Sequence, residues 1–372
     1  MPPSVPGNSA PLNLWPIIAQ SDPPTVPVNP EGLRTAAAKL STLVSPVLTD
    51  FLLSPVEGRA DQKLVDPEAV KQDHLMKRFT LAQHGRWARA IVTANIDVVF
   101  IKGFANAHTL YPDPSLRIQG DLDVLVRPAD FRRLVDFLVA QGFSNGAADN
   151  NAWGMISDAS FLPFVSADGV SHIDVHIHPD SYPVHRSLTT DLVFALSCQL
   201  TASGVTIRVP DDSHCLLLCV TNAAKDKFNI SSLGKVIDAI MVLRNASRLD
   251  WDHMVDLATD GRFLLPLRAF LALLSALGAP MGGIPRDLYR PLGGLRGLAL
   301  RQVLHDFRSY FPQELPLTAL WWREMALCAE PSVALHNAGL RLKGVFRPSS
   351  GHPWDSPATA SLPMANCSNP GP

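Results

Sequence analysis

Residues 120–126 (GDLDVLV), an apolar run carrying two carboxylates, constrain the fold of this chain more than any other segment. The pattern predicts a buried strand, in which successive side chains point to opposite faces. Asp121 and Asp123 then share one face, and Leu122 and Val124 share the other. Neighbouring carboxylates repel each other unless a cation lies between them. A divalent ion such as Mg²⁺ suits this arrangement because it prefers oxygen ligands; two acids at a solvated strand end are the alternative.

A second strand is predicted further along the chain, over residues 172–178 (HIDVHIH). Its period of two places the apolar side chains on one face and His172, Asp174, His176 and His178 on the other. If the polar faces of the two strands meet, Asp174 becomes a third carboxylate at the same centre. Three acids can hold two cations for phosphoryl or nucleotidyl transfer. The histidines leave a zinc site open as an alternative, and His176 could instead bond Asp174 or a phosphate.

The dipeptide formed by Lys102 and Gly103 lies where a strand turns into a helix. Residues 96–101 form a short β-branched and aromatic run, and residues 104–110 are good helix formers. Backbone N–H groups at a helix start attract phosphate, and a glycine allows the ligand to approach closely. Lys102 adds a positive charge at this point. A glycine required only by the turn is the competing interpretation.

Arg117 lies just upstream of the acid pair, within residues 115–120 (SLRIQG). Its planar guanidinium could clamp a triphosphate through two parallel hydrogen bonds. It could equally pair with Asp121 or Asp123 as a structural salt bridge. The sequence leaves both interpretations open.

Four ordered segments resemble one protein family: residues 101–103 (IKG), 111–117 (YPDPSLR), 120–126 (GDLDVLV) and 173–176 (IDVH). Together they are similar to the uncharacterised bacterial nucleotidyltransferase family of the DNA polymerase beta-like superfamily, over about residues 75–290. The resemblance implies an α+β fold, with a polymerase beta-like mixed sheet, flanking helices, and helical subdomains at the N- and C-terminal sides. It also implies metal-dependent transfer of a nucleoside monophosphate from a nucleoside triphosphate.

The same resemblance implies roles for individual residues. The catalytic and metal-binding positions are all acids: Asp121, Asp123 and Asp174. The nucleotide-binding positions lie in the turns around them: Lys102, Gly103, Arg117 and Gly120. The implied cofactor is Mg²⁺ or Mn²⁺. The expected partners are a nucleoside triphosphate and an acceptor that is a small molecule or a peptide.

Composition narrows the class of protein and its partners. A chain of 372 residues with 47% hydrophobic and 18% charged residues is expected to be globular, with about two to three domains. A net charge of −2 provides no basic field, which disfavours nucleic acid as a substrate. Five cysteines without metal-ligand spacing, and no secretory signal, predict a cytoplasmic location. The apolar run 269–277 is too short to span a membrane.

Proline content and hydrophobic periodicity divide the chain into five segments. They are a disordered arm with nine prolines (residues 1–30), an N-terminal helical subdomain (31–95), the catalytic core (96–210), a C-terminal helical subdomain (211–346) and a disordered tail (347–372). The N-terminal subdomain is predicted to pack through an apolar stripe at helical spacing: Leu75, Phe79, Leu81, Trp87 and Ile91.

Three lysines in the C-terminal helical segment follow or lie within predicted helices: Lys225, Lys227 and Lys235. They could help to bind a triphosphate. The favoured alternative is that they complement the negative ends of helices, where cations are common.

Three functions remain open at this point. A nucleotidyltransferase is favoured because the lysine, the arginine, the paired acids and the third acid occur in order. A non-catalytic nucleotide-binding or antitoxin-like module of the same fold, acting with a protein partner, is the second. A zinc-dependent hydrolase is the third, and its ligands would lie on the second strand: His172, Asp174, His176 and His178.

Overall fold

A five-stranded mixed sheet with helices on both faces lies at the centre of the protein. The computed structural model describes residues 12–19, 30–60, 63–117, 120–145, 159–160, 163–246, 249–309 and 315–346. The sheet has the order β1-β2-β5-β4-β3, with β1 (Val98–Phe100), β2 (Leu122–Val126), β3 (Ser144–Asn145), β4 (Phe164–Val165) and β5 (His172–His176). β2 and β5 are parallel, and the other neighbouring pairs are antiparallel. The mixed sheet with flanking helices agrees with the expected α+β class.

The helices of the described residues are numbered in chain order. They are α1 (Trp15–Ala19), α2 (Pro30–Leu43), α3 (Pro46–Ala60), α4 (Pro67–Thr93), α5 (Lys102–Leu110), α6 (Pro128–Ala140), α7 (Thr190–Ala195), α8 (Asp212–Lys225), α9 (Leu233–Asn245), α10 (Trp251–Asp260), α11 (Leu264–Leu277), α12 (Arg286–Tyr289), α13 (Gly294–Ser309), α14 (Leu317–Arg323) and α15 (Pro331–Phe346). A π-helical segment, Glu324–Cys328, follows α14.

Strand β2, which lies between β1 and β5, is buried on both faces, so its alternating side chains enter two different hydrophobic clusters. Leu122 and Val124 belong to a cluster that includes residues of α5 and α6. Leu125 points to the opposite face and joins a cluster built mainly from the C-terminal helices. The predicted alternation is confirmed. Asp123 shares the face of Leu125, because side chains two positions apart point the same way.

The elements that frame the site agree with the sequence pattern. α6 begins with Pro128 at its first position, where a fixed φ suits a helix, and buries Phe131, Leu134 and Leu138. The sequence also predicts a strand over residues 155–165, joined to the second acid-bearing strand by a hairpin turn at residues 167–169. β4 and β5 form this hairpin, with Gly169 in the left-handed region at φ +70°. Of the strand predicted over residues 155–165, Phe164 and Val165 are extended; residues 155–158 and 161–162 lie outside the described residues.

Residues 12–19 differ from the disordered arm expected over residues 1–30. Trp15 begins α1 and is fully buried, and its indole Nε1 donates a hydrogen bond to the backbone oxygen of Phe307 at 2.7 Å. Burial of this aromatic and aliphatic segment favours the helix, and its one proline, Pro16, lies in the first turn, where a proline loses no hydrogen bond. Most other residues of the arm, and the predicted tail 347–372, lie outside the described residues.

Helix α4 buries only part of its predicted apolar stripe. Trp87 and Ile91 are buried, whereas Leu75 and Phe79 are 60% and 50% exposed. The N-terminal half of the helix instead contacts α3 and the turn Pro114–Leu116. Burial of the stripe at Leu75 and Phe79 is therefore a wrong prediction, because the neighbouring elements pack against other positions of the helix.

A separate two-stranded hairpin, β6 (Cys198–Ala202) and β7 (Val205–Val209), follows α7. The sequence predicts β7 and misses β6, whose side chains are mostly exposed. Ser203 and Gly204 join the strands with φ of +52° and +78°, the geometry of a two-residue hairpin turn. The Ser-Gly pair between two extended runs was the available signal for β6.

The C-terminal helices pack around α8, α9 and α11, which contribute much of the larger hydrophobic cluster. This cluster also takes in Val99, Ile101 and Leu125 from the sheet, so the helices cover the face that carries Asp123. No helix within the described residues is both long enough and apolar enough to cross a bilayer.

Candidate active site

Strands β2 and β5 bring acids from two distant segments side by side. In their parallel register, Asp123 lies opposite Asp174. His176 follows Asp174 by two positions and therefore lies on the same face of β5. The expectation that the polar faces of these two strands meet is consistent with this register.

Asp123, Asp174 and His176 form a compact group of possible metal ligands. His176 Nε2 lies 3.0 Å from Asp123 Oδ1 and 3.2 Å from Asp174 Oδ2, and one donor atom of each residue lies within 4.8 Å of the others. Two ligand atoms at right angles around an ion, each about 2.1 Å from it, are about 3.0 Å apart. The donor set fits a divalent cation, and its imidazole suits Mn²⁺ and other transition ions as well as the carboxylates suit Mg²⁺.

Lys102 contacts this group from the start of α5. Its Nζ lies 2.7 Å from Asp123 Oδ1 and 3.1 Å from His176 Nε2. The backbone of Lys102 is left-handed, with φ of +54°, which costs about 1 kcal/mol for a residue with a side chain. The neighbouring N–H of Ile101 donates to the backbone oxygen of Asp123 at 3.1 Å. Backbone pairing and charge therefore direct the lysine at the acid.

The pKa values of Asp123 and Lys102 move in the directions that stabilise an ion pair. Burial alone would raise the pKa of Asp123, but Lys102 and His176 outweigh burial and lower it to about 2. Burial alone would lower the pKa of Lys102, but Asp123 and Asp174 outweigh burial and raise it. Both groups are therefore charged at neutral pH.

Asp121 has a different environment from Asp123. It lies just before β2, its side chain is 49% exposed, and His172 Nδ1 is 3.8 Å from its Oδ1. Burial raises the pKa of Asp121, and the charges of Asp123 and Asp174 raise it further. Asp121 is thus within electrostatic reach of both acids but outside the compact group of three ligands.

The two glycines proposed to bind nucleotide lie at the start of α5 and just before β2. Gly103 is the second residue of α5, where N–H groups have no partner within the helix. Gly120 is exposed, and a Cβ built there would meet no atom within 4 Å among the described residues. Ile118 and Gln119, between Arg117 and Gly120, lie outside the described residues.

Arg117 pairs with an acid that the sequence interpretation did not consider. Its Nε donates to Asp238 Oδ1 at 2.7 Å and Oδ2 at 2.9 Å. The same carboxylate accepts hydrogen bonds from the hydroxyl of Tyr111 at 2.7 Å and from Asn106 Nδ2 at 2.9 Å. Burial alone would lower the pKa of Arg117, but Asp238 outweighs burial and raises it. The network joins α5, the segment before Gly120 and α9.

Comparison with known proteins then places the chain in a family. Residues 68–278, more than half of the chain, match a family described as uncharacterised nucleotidyltransferase. The chain belongs to this family. The match runs from α4 to the end of α11 and includes every strand described above. No curated protein and no solved structure matches the chain. The polymerase beta-like superfamily and a bacterial origin stay predictions.

The three C-terminal lysines of this nucleotidyltransferase-family protein all have carboxylate partners. Lys227 Nζ lies 3.4 Å from Glu324 Oε1, Lys235 pairs with Asp226, and Lys225 pairs with Asp180. These pairs favour a structural role for Lys227 and Lys235. Lys225 lies nearer the site, because the charge of its partner Asp180 acts on Lys102.

Asp180 and Lys225 connect the loop after β5 to the end of α8. Asp180 is 1% exposed. Burial alone would raise its pKa, but Lys225 outweighs burial and lowers it. Asp180 also raises the pKa of Lys102, which places its charge near the candidate site. Sequence analysis missed Asp180, although an acid between the apolar strand β5 and a proline-containing turn was a usable signal.

The histidines of the second strand separate into different environments. His172 lies beside Asp121, whereas the ring of His178 stacks on that of His185 with centroids 4.5 Å apart. Among the described residues, neither belongs to the group of three possible metal ligands. The four-residue zinc set considered for a hydrolase is therefore not gathered at one point.

Proposed function

We propose that this protein is a metal-dependent nucleotidyltransferase that moves a nucleoside monophosphate from a nucleoside triphosphate to a small-molecule or peptide acceptor. Membership of the nucleotidyltransferase family supports the reaction class. The observation that carries the proposal is the meeting of Asp123, Asp174 and His176 on adjacent strands, with Lys102 in contact. A triphosphate with its metal ion needs both anionic ligands and a cationic neighbour, and this group offers both.

The three acids would share the metal-binding and catalytic work. A bound Mg²⁺ or Mn²⁺ would polarise the phosphoryl group and lower the pKa of the attacking group. Asp123 offers a fixed negative charge, because its pKa of about 2 keeps the carboxylate ionised at neutral pH. Asp174 is more exposed than Asp123 and is assigned to orient the acceptor. Asp121, at the edge of the group, would add its carboxylate when substrate phosphates approach.

The nucleotide would bind along the turns before β2 and before α5. Lys102 and the N–H group of Gly103 would contact phosphate oxygens at the N-terminus of α5. The open space beside Gly120 would allow close approach of the chain to the phosphates. Arg117, whose Nε is taken by Asp238, would contribute positive charge to the same region.

The acceptor is proposed to carry a hydroxyl, phosphate or amine. The net charge of −2 supports a small molecule or a peptide over nucleic acid. We place the protein in the cytoplasm. The four cysteines within the described residues are free, which is compatible with a reducing compartment: Cys198, Cys215, Cys219 and Cys328. A protein partner that presents the acceptor is part of the proposal.

Nucleotide binding and turnover test the proposal separately. The protein is titrated with ATP, CTP, GTP and UTP in Mg²⁺ or Mn²⁺, and pyrophosphate release is followed with pools of small molecules and peptides. Asp123→Asn is expected to lose metal-dependent binding. Asp174→Asn is expected to bind nucleotide but lose transfer, because Asp174 is assigned to the acceptor. Asp136→Asn, on the exposed face of α6, is the matched control and should behave as wild type.

Two results would count against this function. The first is no binding of any nucleotide by the folded protein. The second is wild-type nucleotide affinity in the double variant Asp121→Asn/Asp123→Asn. Nucleotide binding without pyrophosphate release, together with a stably co-purifying protein, would instead favour the non-catalytic module.

A further inference from the structure

The ammonium of Lys102 occupies a position among the candidate metal ligands. Lys102 Nζ is 2.7 Å from Asp123 Oδ1 and 3.1 Å from His176 Nε2. The carboxylate oxygen and the imidazole nitrogen are themselves 3.0 Å apart. The three atoms form a nearly equilateral triangle with the lysine cation at one corner. Asp123 and His176 are also two of the three residues that fit a divalent ion. Lysine and metal therefore share two partners.

The shared partners cannot serve both cations in the same way. In the tautomer with the proton on Nδ1, His176 Nε2 accepts a hydrogen bond from Lys102 through its lone pair, because a lysine ammonium has only donors. A metal ion bound at Nε2 uses that same lone pair. A divalent ion beside Asp123 would also lie close to the ammonium, and like charges repel each other. Binding of the ion at these two ligands requires the lysine to move.

The local backbone holds Lys102 at this position. Lys102 begins α5 in the left-handed conformation, which side chains other than glycine rarely adopt. Left-handed residues of this kind are retained where the surroundings impose them, and they concentrate at functional sites. The same residue begins the helix whose N-terminal N–H groups face the proposed phosphate site. A short movement of its flexible side chain, with the backbone fixed, would exchange Asp123 for a phosphate.

We propose that Lys102 is an exchangeable internal cation, which neutralises Asp123 until a nucleotide with its metal ion arrives. Asp123 and His176 would then hold the ion, and the released ammonium of Lys102 would bind the phosphates. Free metal must displace the lysine without offering it a new partner, whereas metal arriving with a triphosphate supplies one. Metal and nucleotide therefore strengthen each other's binding by the same factor. This inference rests on the proposed function.

Binding of Mn²⁺ to the full-length protein, measured by electron paramagnetic resonance without nucleotide, tests the exchange. Lys102→Met keeps the side-chain length and removes the charge. It is expected to bind Mn²⁺ at least about fivefold more tightly than wild type, the lower end of ordinary coupling between sites. A non-hydrolysable ATP analogue should tighten Mn²⁺ binding to the wild-type protein, and Lys102→Met should lose most of this effect. Lys77→Met, which removes a lysine paired with Asp73 on α4, is the matched control and should bind Mn²⁺ as wild type does.

The outcomes distinguish this inference from the proposed function. A folded Lys102→Met variant with unchanged Mn²⁺ affinity would overturn the exchange and leave the nucleotidyltransferase proposal standing. If wild type binds neither Mn²⁺ nor nucleotide, both fail. Amine labelling of the wild-type protein, read by mass spectrometry, provides a test without any variant. Added Mn²⁺ should speed labelling of Lys102, and an unchanged rate would also overturn the exchange.

Discussion

Replacing Asp238 with alanine removes the acceptor at the centre of the polar network behind the candidate site. Asp238 is 1% exposed and receives hydrogen bonds from Arg117 Nε, from the hydroxyl of Tyr111 and from Asn106 Nδ2. The side chain of Arg117 is itself only 13% exposed. Asp238→Ala therefore removes the carboxylate that pairs with a buried guanidinium and accepts from two further donors.

The expected loss follows from these contacts. Removing one partner of a buried ion pair costs about 3–5 kcal/mol. Each neutral donor that loses its buried acceptor adds about 1 kcal/mol. We expect Asp238→Ala to lower the free energy of unfolding by about 5 kcal/mol, and Arg117→Met by about 3 kcal/mol, because Asp238 then keeps its other two donors. The double variant should lose far less stability than the sum of the two single losses, since both single variants disrupt the same buried ion pair.

Urea unfolding followed by tryptophan fluorescence measures these losses. Arg290→Ala, which removes an exposed pair with Asp287, is the control and is expected to cost under about 0.5 kcal/mol. A loss below about 1 kcal/mol for Asp238→Ala at an unchanged denaturant slope would refute the buried pair. Additive losses in the double variant, within about 0.5 kcal/mol, would refute the coupling between Arg117 and Asp238.

Trp15→Ala is expected to lower the free energy of unfolding by about 3–5 kcal/mol because it empties a buried site. A loss under about 1 kcal/mol, measured by urea unfolding, would contradict the docking of α1. Burial would raise the pKa of Asp180, but Lys225 outweighs burial and lowers it. The ionised Asp180 therefore stabilises the folded protein above its unfolded pKa of about 3.9, and this stabilisation is lost at lower pH. The stability gap between wild type and Asp180→Asn should therefore shrink from about pH 7 to about pH 3, and a constant gap would contradict the ion pair.

The elements that carry the site could be predicted because a short apolar run marks a buried strand, in which alternate side chains share a face. β2 and β5 each interrupt such a pattern with acids on one face only. This suffices to derive which side chains share a face, and the observed register sets Asp123 opposite Asp174. The lysine at the start of α5 could be found for a similar reason, since a β-branched run followed by helix formers marks the junction.

Pairings between distant segments could not be predicted. Asp238 lies on α9 among apolar neighbours, and a buried carboxylate requires donors. Nothing in the sequence states that Arg117 is one of them. The sequence also treats Asp121 and Asp123 alike, whereas β2 begins at Leu122 and leaves Asp121 half exposed. Which residue begins a strand depends on packing around it, so this difference appears only in the structure.

The charges at the site explain why a divalent ion and a triphosphate would suit it together. Three carboxylates face one ammonium there, which leaves an excess of two negative charges: Asp121, Asp123 and Asp174 against Lys102. Burial raises the pKa of Asp121, and the negative charges of Asp123 and Asp174 raise it further, in keeping with this excess. A divalent cation balances the excess at one point. In the proposed exchange, the ammonium released from Asp123 is the group best placed to hold the phosphates, so one charge would serve two successive partners.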